Sequence, residues 1–323
     1  MCLSRPIILF RMAMKYMKPT IRRFMSSNGE HIVSMRIWIP NSKPVGTVQI
    51  IHGMREHIGR YMDFAAYLNA QGFIVCGHDH LGHGETARDK NDFGYFGKNR
   101  GAGYLLADCK RVTRLICRDY PALPFFLLGH SMGSFLGRLY VLRPPVKLAG
   151  FICMGTGGEV KAAPLSRAAF EIAARVMGEK SVSPFLNRLV ISPGYAIGRN
   201  KGSGWLSRDG STVAAYDTDP FVSPLFTNRG VCDLVTLQMA ATSAAWAKGV
   251  DKNLPVLLMS GDDDVIGGKG GRGVIQTYER LQAAGCLDVQ CSLYEEARHE
   301  LLNEINKEEV FYDILTWMIG RIY

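Results

Sequence analysis

Ser131 is the residue of this sequence whose surroundings most clearly suggest chemistry. It is the centre of the pattern G-H-S-M-G at residues 129–133, directly after the four apolar residues 125–128. The apolar run predicts a strand buried on both faces, and the apolar spacing after the pattern predicts a helix that stops before Pro144. A serine at such a sharp strand-to-helix turn needs small residues two positions before and two positions after it, so that strand and helix can pass closely. The pattern therefore predicts a nucleophile elbow with Ser131 at its tip.

A serine hydroxyl is a weak nucleophile at neutral pH, and it needs a base together with a group that orients this base. The acidic stretch 261–265 follows a predicted strand over 255–260, and His299 follows a predicted strand over 289–294. Ligand sites of open parallel sheets lie at the carboxyl ends of the strands, so these side chains are expected near Ser131. His299 is the only one of the eight histidines that comes after the acidic stretch. We therefore assign it as the general base.

Attack by the serine would create an oxyanion, which two backbone N–H groups must stabilise. We assign one of them to Met132, the residue directly after the nucleophile. We assign the other to Met54, in the loop that begins with His52 and Gly53 after a predicted strand over 45–51.

The elements that would position these residues alternate along the chain. Apolar runs and alternation predict strands over 32–39, 45–51, 73–76, 125–128, 147–154, 255–260 and 289–294. Helical spacing predicts helices over 61–71, 104–120, 134–141 and 273–284, and a closing helix around 311–318. This order predicts an α/β fold with a mostly parallel, doubly wound sheet.

The pattern changes between residues 155 and 250, where short helical pieces are separated by Gly-, Pro- and Ser-rich breaks. This change predicts an inserted, mainly helical cap. The expected organisation is a basic, poorly ordered lead-in over 1–23, a first core part over 24–154, the cap over 155–250 and a second core part over 251–323. Trp205 in the cap is a candidate for lining an acyl pocket, although an aromatic residue in a small inserted domain is more often part of its core.

Five segments carry a resemblance to a known family: H-G-M-R-E-H, D-H-L-G-H-G-E-T, G-H-S-M-G, S-G-D-D-D and R-H-E-L-L-N-E. They resemble the α/β-hydrolase family that holds monoacylglycerol lipases, bacterial lysophospholipases and proteins named serine aminopeptidases, from about residue 24 to the C-terminus. The resemblance implies Ser131 as nucleophile, Asp264 as the triad acid and His299 as base. Asp264 occupies the fourth place of G-x-x-D, with Asp263 as the alternative. Thr86 is a departure, because the family often has serine there.

These features predict a serine hydrolase that cleaves carboxylic esters through an acyl-enzyme and needs no cofactor. The expected partner is a small-molecule acyl ester, either a monoacylglycerol or a lysophospholipid. One alternative is a serine aminopeptidase, which would need cap carboxylates to hold the ammonium group of its substrate. Another is a non-catalytic binding protein on a hydrolase scaffold, which would not need an intact triad. The sequence carries no signal for an oligomeric state.

The composition limits the possible partners and compartment. The net charge is +9, but six basic residues and no acid fall within residues 1–27, which leaves +3 for the remainder. No basic stripe with interleaved aromatic residues follows, so no nucleic acid partner is predicted. The apolar run 6–10 is too short for a signal peptide or a membrane span, so at most a peripheral membrane contact is expected. The eight cysteines lack metal-binding spacing, and we predict that they are reduced thiols of a cytoplasmic protein. Disulfides are the alternative, because the count is even.

Two further stretches invite a functional interpretation. The loop over 78–83 could suggest a metal site, but its glycine-interrupted spacing lacks the register of divalent sites, and we predict none. Its candidate ligands are His78, Asp79, His80 and His83. The glycine-rich stretch 267–273 lacks the spacing of a P-loop and is predicted to be a surface loop. The alternative is that Lys269 and Arg272 contact an anionic head group.

Overall fold

The computed structural model describes residues 18–159, 163–191, 202–222 and 225–322. In this part, an eight-stranded sheet forms the centre of the molecule, in the order β1-β2-β4-β3-β5-β6-β7-β8. Its strands are β1 Thr20–Met25, β2 Ile32–Trp38, β3 Gly46–Ile51, β4 Phe73–His78, β5 Phe125–His130, β6 Gly150–Met154, β7 Val256–Gly261 and β8 Val289–Tyr294. β2 pairs antiparallel with β1 and β4, and the remaining pairs are parallel. The mostly parallel sheet confirms the predicted α/β class.

Helices cover both faces of this sheet. They are α1 Met62–Ala70, α2 Gly101–Asp119, α3 Met132–Tyr140, α4 Ala163–Met177, α5 Pro184–Ile191, α6 Gly210–Thr218, α7 Asn228–Thr242, α8 Ala244–Lys248, α9 Arg272–Ala283 and α10 Lys307–Ile319. Alternate residues of β5 point to opposite faces: Phe125 and Leu127 join a core with α2, α3 and α7, whereas Phe126 and Leu128 join a core with α1 and α10. Burial on both faces explains why the first four residues of β5 are all apolar.

The structure corrects the predicted lead-in at its C-terminal end. Residues 20–23 belong to β1, which pairs with β2 at the edge of the sheet. Within β1 the side chain of Phe24 is buried, whereas Ile21 and Met25 are exposed. An edge strand with so few buried residues lacks the alternation that predicts a half-buried strand. The rest of the lead-in, residues 1–17, and the membrane contact predicted there lie outside the described residues.

The described residues between β6 and β7 form helices and short turns without a strand. The last of these helices, α7 and α8, pack on the helical layer of the sheet: Val231 and Leu234 of α7 share a core with Leu136 of α3. The indole N–H of Trp246 in α8 donates to the backbone oxygen of Arg138. The part of the expected cap closest to β7 therefore contacts the core. The domain boundaries at 155 and 250 stay a prediction.

Two observations bear on the environment of the chain. Among the described helices, none is both long and apolar enough to cross a membrane. The described cysteines are free thiols, namely Cys76, Cys109, Cys117, Cys153, Cys232, Cys286 and Cys291. Burial raises the pKa of the Cys153 thiol to about 11, so this thiol stays protonated and unreactive at neutral pH. The cytoplasmic location stays a prediction.

Candidate active site

Ser131 lies at the sharp turn between β5 and α3, as predicted. Its backbone has φ +54° and ψ −120°, a strained conformation for a residue other than glycine. A Cβ atom on Gly129 would lie 2.3 Å from the backbone oxygen of Gly133, and one on Gly133 would lie 1.9 Å from the backbone oxygen of Ile51. Strand and helix therefore approach so closely that both positions require glycine.

His299 and Asp264 form a buried hydrogen-bonded pair at the carboxyl ends of β8 and β7. Nδ1 of His299 lies 3.0 Å from both carboxylate oxygens of Asp264. The carboxylate also accepts hydrogen bonds from the Ser260 hydroxyl at 3.0 Å and the Ile266 N–H at 2.9 Å. Burial alone would raise the pKa of Asp264, but the neighbouring His299 and these donors lower it below its ordinary value. Asp264 is therefore ionised, and Nδ1 of His299 carries the proton that it donates.

This tautomer leaves the other ring nitrogen, Nε2, as a proton acceptor. Nε2 of His299 is buried and makes no hydrogen bond to any described residue. It belongs to a side chain that lines the same pocket as Ser131. A basic nitrogen without a hydrogen-bond partner, in a residue that lines the same pocket as a serine, is available to act as a general base.

The two neighbouring acids differ clearly in the structure. The side chain of Asp263 is 70% exposed, and its nearest cation is the Nε of Arg298, at 4.0 Å. Asp264, by contrast, is buried against His299. The geometry therefore pairs His299 with Asp264 rather than with Asp263, as the resemblance implied.

A small pocket opens over the serine. Its lining residues are Met54, Arg55, Glu56, His130, Ser131, Trp205, Leu206, Tyr216, His299 and Glu300. The ring centroids of Trp205 and His299 lie 4.9 Å apart. Trp205 is thus part of the pocket wall and also packs against the candidate base.

The two residues assigned to the oxyanion hole both belong to segments next to Ser131. Met54 lines the pocket in the loop after β3. Met132 is the first residue of α3, where backbone N–H groups have no acceptor within the helix. This placement is compatible with two N–H donors at the nucleophile, and the role of both residues stays a prediction.

A buried carboxylate beneath the pocket organises the surrounding loops, and sequence reasoning missed it. Glu56 accepts hydrogen bonds from the N–H of Gly53 and, at 3.0 Å, from the hydroxyl of Tyr61. It also lies 3.0 Å from Nδ1 of His130 and 3.2 Å from Nη1 of Arg60. Burial opposes ionisation, but these partners lower the pKa of Glu56 to about 2. The carboxylate is therefore charged at neutral pH.

Arg60 carries the balancing charge for a second buried acid. Its two terminal nitrogens lie 2.6 and 2.7 Å from the two carboxylate oxygens of Glu300. Its guanidinium lies 4.7 Å from the ring centroid of Tyr216, which belongs to α6. The sequence carried a signal for these residues, because both acids lie inside motifs that adjoin the predicted site.

A short segment before α6 is tied to the loop that carries His299. The N–H of Glu300 donates to the backbone oxygen of Leu206 at 2.7 Å, and the Arg298 guanidinium donates to that of Ser207 at 3.0 Å. The carboxylate of Glu304 accepts from the backbone N–H groups of Arg298 and Arg208, at 2.8 and 3.1 Å. The wall formed by Trp205 and Leu206 is therefore held firmly against the candidate base.

This arrangement predicts a large effect at Glu304, whose side chain is 0% exposed. Glu304→Gln replaces one carboxylate oxygen with an amide group, which would face N–H donors. We expect it to lower the free energy of unfolding by about 2–4 kcal/mol in a denaturant titration. Glu296→Gln is the matched control, because Glu296 is 82% exposed and 3.9 Å from Arg208. It should change stability by less than about 0.5 kcal/mol, and an equal loss in both variants would contradict the anchoring role.

The histidine-rich loop after β4 has a structural role. The carboxylate oxygens of Asp79 each accept a backbone N–H, from Ile58 and Glu85, at 2.8 Å. The hydroxyl of Thr86 donates to the backbone oxygen of Asp79 at 2.7 Å and accepts from the N–H of Ser34 at 3.0 Å. These bonds need only a hydroxyl, so serine or threonine could make them. Burial lowers the pKa of His78 to about 3, so it is neutral at physiological pH.

The glycine-rich stretch forms a short turn before α9, over Lys269–Gly271. Lys269 and Arg272 are not among the described residues that line the pocket. The alternative that they contact a head group at this site therefore receives no support from the pocket.

The strand order, the elbow and the buried acid–histidine pair define the class: the protein is an α/β-hydrolase. Residues 42–306 match the family described as Hydrolase_4, serine aminopeptidase S33. The chain belongs to this family.

Individual relatives cover most of the chain. A protein named monoglyceride lipase homolog from Monkeypox virus is 30% identical over 290 residues, which are 89% of this chain and 94% of that protein. Monoglyceride lipase from Rattus norvegicus is 28% identical over 304 residues, which are 92% and 90%. A solved carboxyl esterase from Bacillus coagulans, in complex with glycerol, superposes with a TM-score of 0.87 at 30% identity, covering 95% of this chain and 100% of the esterase.

Proposed function

We propose that this protein is a serine hydrolase that cleaves the carboxylic ester of a monoacylglycerol or a lysophospholipid through an acyl-enzyme. The observation that carries the proposal is the Asp264–His299 pair, whose free Nε2 belongs to the same pocket wall as the strained Ser131. The relatives named monoglyceride lipase and the esterase with bound glycerol support an ester of this class as substrate.

The reaction follows from these positions. The Ser131 hydroxyl attacks the ester carbonyl carbon while Nε2 of His299 takes its proton, and Asp264 stabilises the resulting imidazolium. The N–H groups of Met54 and Met132 stabilise the oxyanion of the tetrahedral intermediate. Collapse of the intermediate breaks the ester bond, and His299 returns the proton to the departing alcohol. Water then attacks the acyl-serine by the same steps, which releases the fatty acid and restores Ser131.

The charges around the pocket favour an ester over an aminopeptidase substrate. An aminopeptidase needs a carboxylate that is free to bind the ammonium group of a substrate. The described carboxylates in the pocket lining are Glu56 and Glu300. Glu300 is already paired with Arg60 on both oxygens, and Glu56 is paired with His130 and Arg60. Binding an ammonium group would therefore require breaking an existing buried ion pair, which is costly.

A substrate panel tests the proposal. Turnover by the purified protein should be measured on monoacylglycerols of several chain lengths, lysophospholipids and aminoacyl p-nitroanilides, with Ser131→Ala as the background control. We expect kcat/KM for the best ester to exceed that for the best anilide by at least roughly 100-fold. Faster anilide hydrolysis would support the aminopeptidase instead. An absence of turnover, together with an absence of reaction at Ser131, would support a binding protein.

A further inference from the structure

We propose that His130 and Glu56 form a buried ion pair that holds the loop of the catalytic base against the nucleophile elbow. His130 is a positioning residue in this account, because it acts through His299. The predicted effect of the pair on turnover rests on the proposed function. The predicted charge of His130 does not, because it can be measured without any substrate.

The hydrogen bonds of His130 require a proton on both of its ring nitrogens. Nδ1 lies 3.0 Å from a carboxylate oxygen of Glu56, and Nε2 lies 3.2 Å from the backbone oxygen of His299. An ionised carboxylate and a backbone carbonyl only accept hydrogen bonds. The hydroxyl of Tyr61 also lies 3.1 Å from Nδ1, but its one hydrogen is directed to Glu56, the stronger acceptor. His130 therefore donates from both nitrogens, as an imidazolium does.

The surrounding charges stabilise this form. The groups in contact with His130 are Glu56 from the loop after β3, Tyr61 from the turn Ile58–Tyr61 and His299 from the loop after β8. Arg60 and Glu300 are joined to this set through the hydrogen bonds of Arg60 to Glu56 and Glu300. Arg60 compensates Glu300 with two short hydrogen bonds. The negative charge of Glu56 is then neutralised by protonated His130. The network thus holds two acids and two cations.

The pKa of His130 reflects the same balance. Burial lowers it, but the hydrogen bond and the charge of Glu56 outweigh burial, so that the pKa lies above its ordinary value. The pKa of Glu56 is lowered to about 2, and Tyr61 stays protonated because burial raises its pKa. Both shifts favour the charged form of the pair over its neutral form. The ion pair is lost when the pH rises through the raised pKa of His130 or falls through that of Glu56.

The pair joins three parts of the site. Glu56 accepts the N–H of Gly53, next to the candidate oxyanion donor Met54. His130 directly precedes Ser131, and its Nε2 holds the backbone of His299. Neutral His130 carries a proton on only one ring nitrogen, so it can donate only one of these two hydrogen bonds. The elbow then loses its contact either with the loop that carries His299 or with Glu56.

This mechanism predicts a specific pH dependence. Turnover should fall at alkaline pH as His130 becomes neutral. Glu56→Gln removes the negative charge that raises the pKa of His130. In this variant the alkaline fall of kcat should therefore move to lower pH. If Glu56 merely filled space, its replacement would not shift the alkaline limb of the pH profile of kcat.

Nitrogen NMR on selectively ¹⁵N-histidine-labelled protein measures the charge of His130 directly. The His130 signals are assigned by their loss in His130→Gln and in His130→Asn. In the wild-type protein at pH 7 we expect both ring nitrogens of His130 to be protonated. In Glu56→Gln we expect the midpoint of the His130 titration to lie at a lower pH than in the wild-type protein. A neutral His130 in the wild-type protein at pH 7 would overturn the proposal, whatever the activity of the variants.

Kinetics test the positioning role. His130→Gln should lower kcat about 100-fold, because small misplacements of a reacting group have effects of this order, with little change in KM. His31→Gln is the matched control, because His31 is another buried histidine next to a carboxylate, that of Asp92 at 3.3 Å. It should retain wild-type kcat. Equal kcat in His130→Gln and the wild-type protein would overturn the positioning role. Reaction of the wild-type Ser131 with a fluorophosphonate, measured in parallel, reports separately on the proposed function.

Discussion

Asp264→Asn is expected to lower kcat about 10⁴-fold, with little change in KM or in stability. The carboxylate now accepts the Nδ1 proton of His299, which leaves Nε2 free to take the serine proton. An asparagine amide can donate to Nδ1 and thereby favours the tautomer with its proton on Nε2. In that tautomer the base cannot accept a proton from Ser131. The measurement is steady-state hydrolysis of a p-nitrophenyl ester, with the fold checked by circular dichroism.

Asp263→Asn is the matched control for this prediction. The change is chemically the same and one residue away, but the side chain of Asp263 is 70% exposed and 4.0 Å from Arg298. We expect kcat within about twofold of the wild-type protein, since exposed pairs of this kind contribute little. If the two variants lost activity equally, or if Asp263→Asn lost more, the assignment of Asp264 as the triad acid would be wrong.

Gly133→Ala is expected to destabilise the protein by at least about 3 kcal/mol. The added Cβ would lie 1.9 Å from the backbone oxygen of Ile51 and 2.6 Å from that of His52. These atoms belong to β3 and the loop after it, and they cannot move aside as the end of a flexible side chain could. The variant should unfold at clearly lower denaturant concentration, and any folded fraction should have lost activity, because α3 and Ser131 must shift.

Gly103→Ala in α2 separates this steric effect from the general effect of replacing a helical glycine. The nearest atom to a Cβ at Gly103 is the Cβ of Arg100, at 4.0 Å. Alanine is favoured over glycine in helices, so this variant should gain up to about 1 kcal/mol. A Gly133→Ala protein as stable as the wild type would contradict the close approach of β3 and α3.

The elbow and its partners could be predicted from sequence because each leaves a local signal. Ser131 follows a strand that begins with four apolar residues, and glycines stand two positions before and after it. Close backbone contacts explain both glycines. His299 and the acidic stretch each follow a strand that was recognisable from its apolar run. Local patterns of this kind can be recognised without knowledge of the tertiary structure. The choice between Asp264 and Asp263 came from family resemblance, and the structure supports it through burial.

The Glu56 network could not be predicted in the same way. Its members come from separate segments of the chain, and the motifs that contain Glu56 and Glu300 do not show what these acids contact. Their role depends on burial and on long-range pairs such as Arg60 with Glu300, which are 240 positions apart. β1 was missed for a related reason, because an edge strand stabilised by backbone pairing to β2 needs few buried side chains.

The most direct test of the account is the mass of the intact protein after reaction with a fluorophosphonate, followed by peptide mapping. We expect a single covalent adduct on Ser131 in the wild-type protein, no adduct in Ser131→Ala, and slow formation of the adduct in Asp264→Asn. Unmodified wild-type protein, or an adduct on another residue that persists in Ser131→Ala, would contradict the claim that Ser131 is the nucleophile of this site.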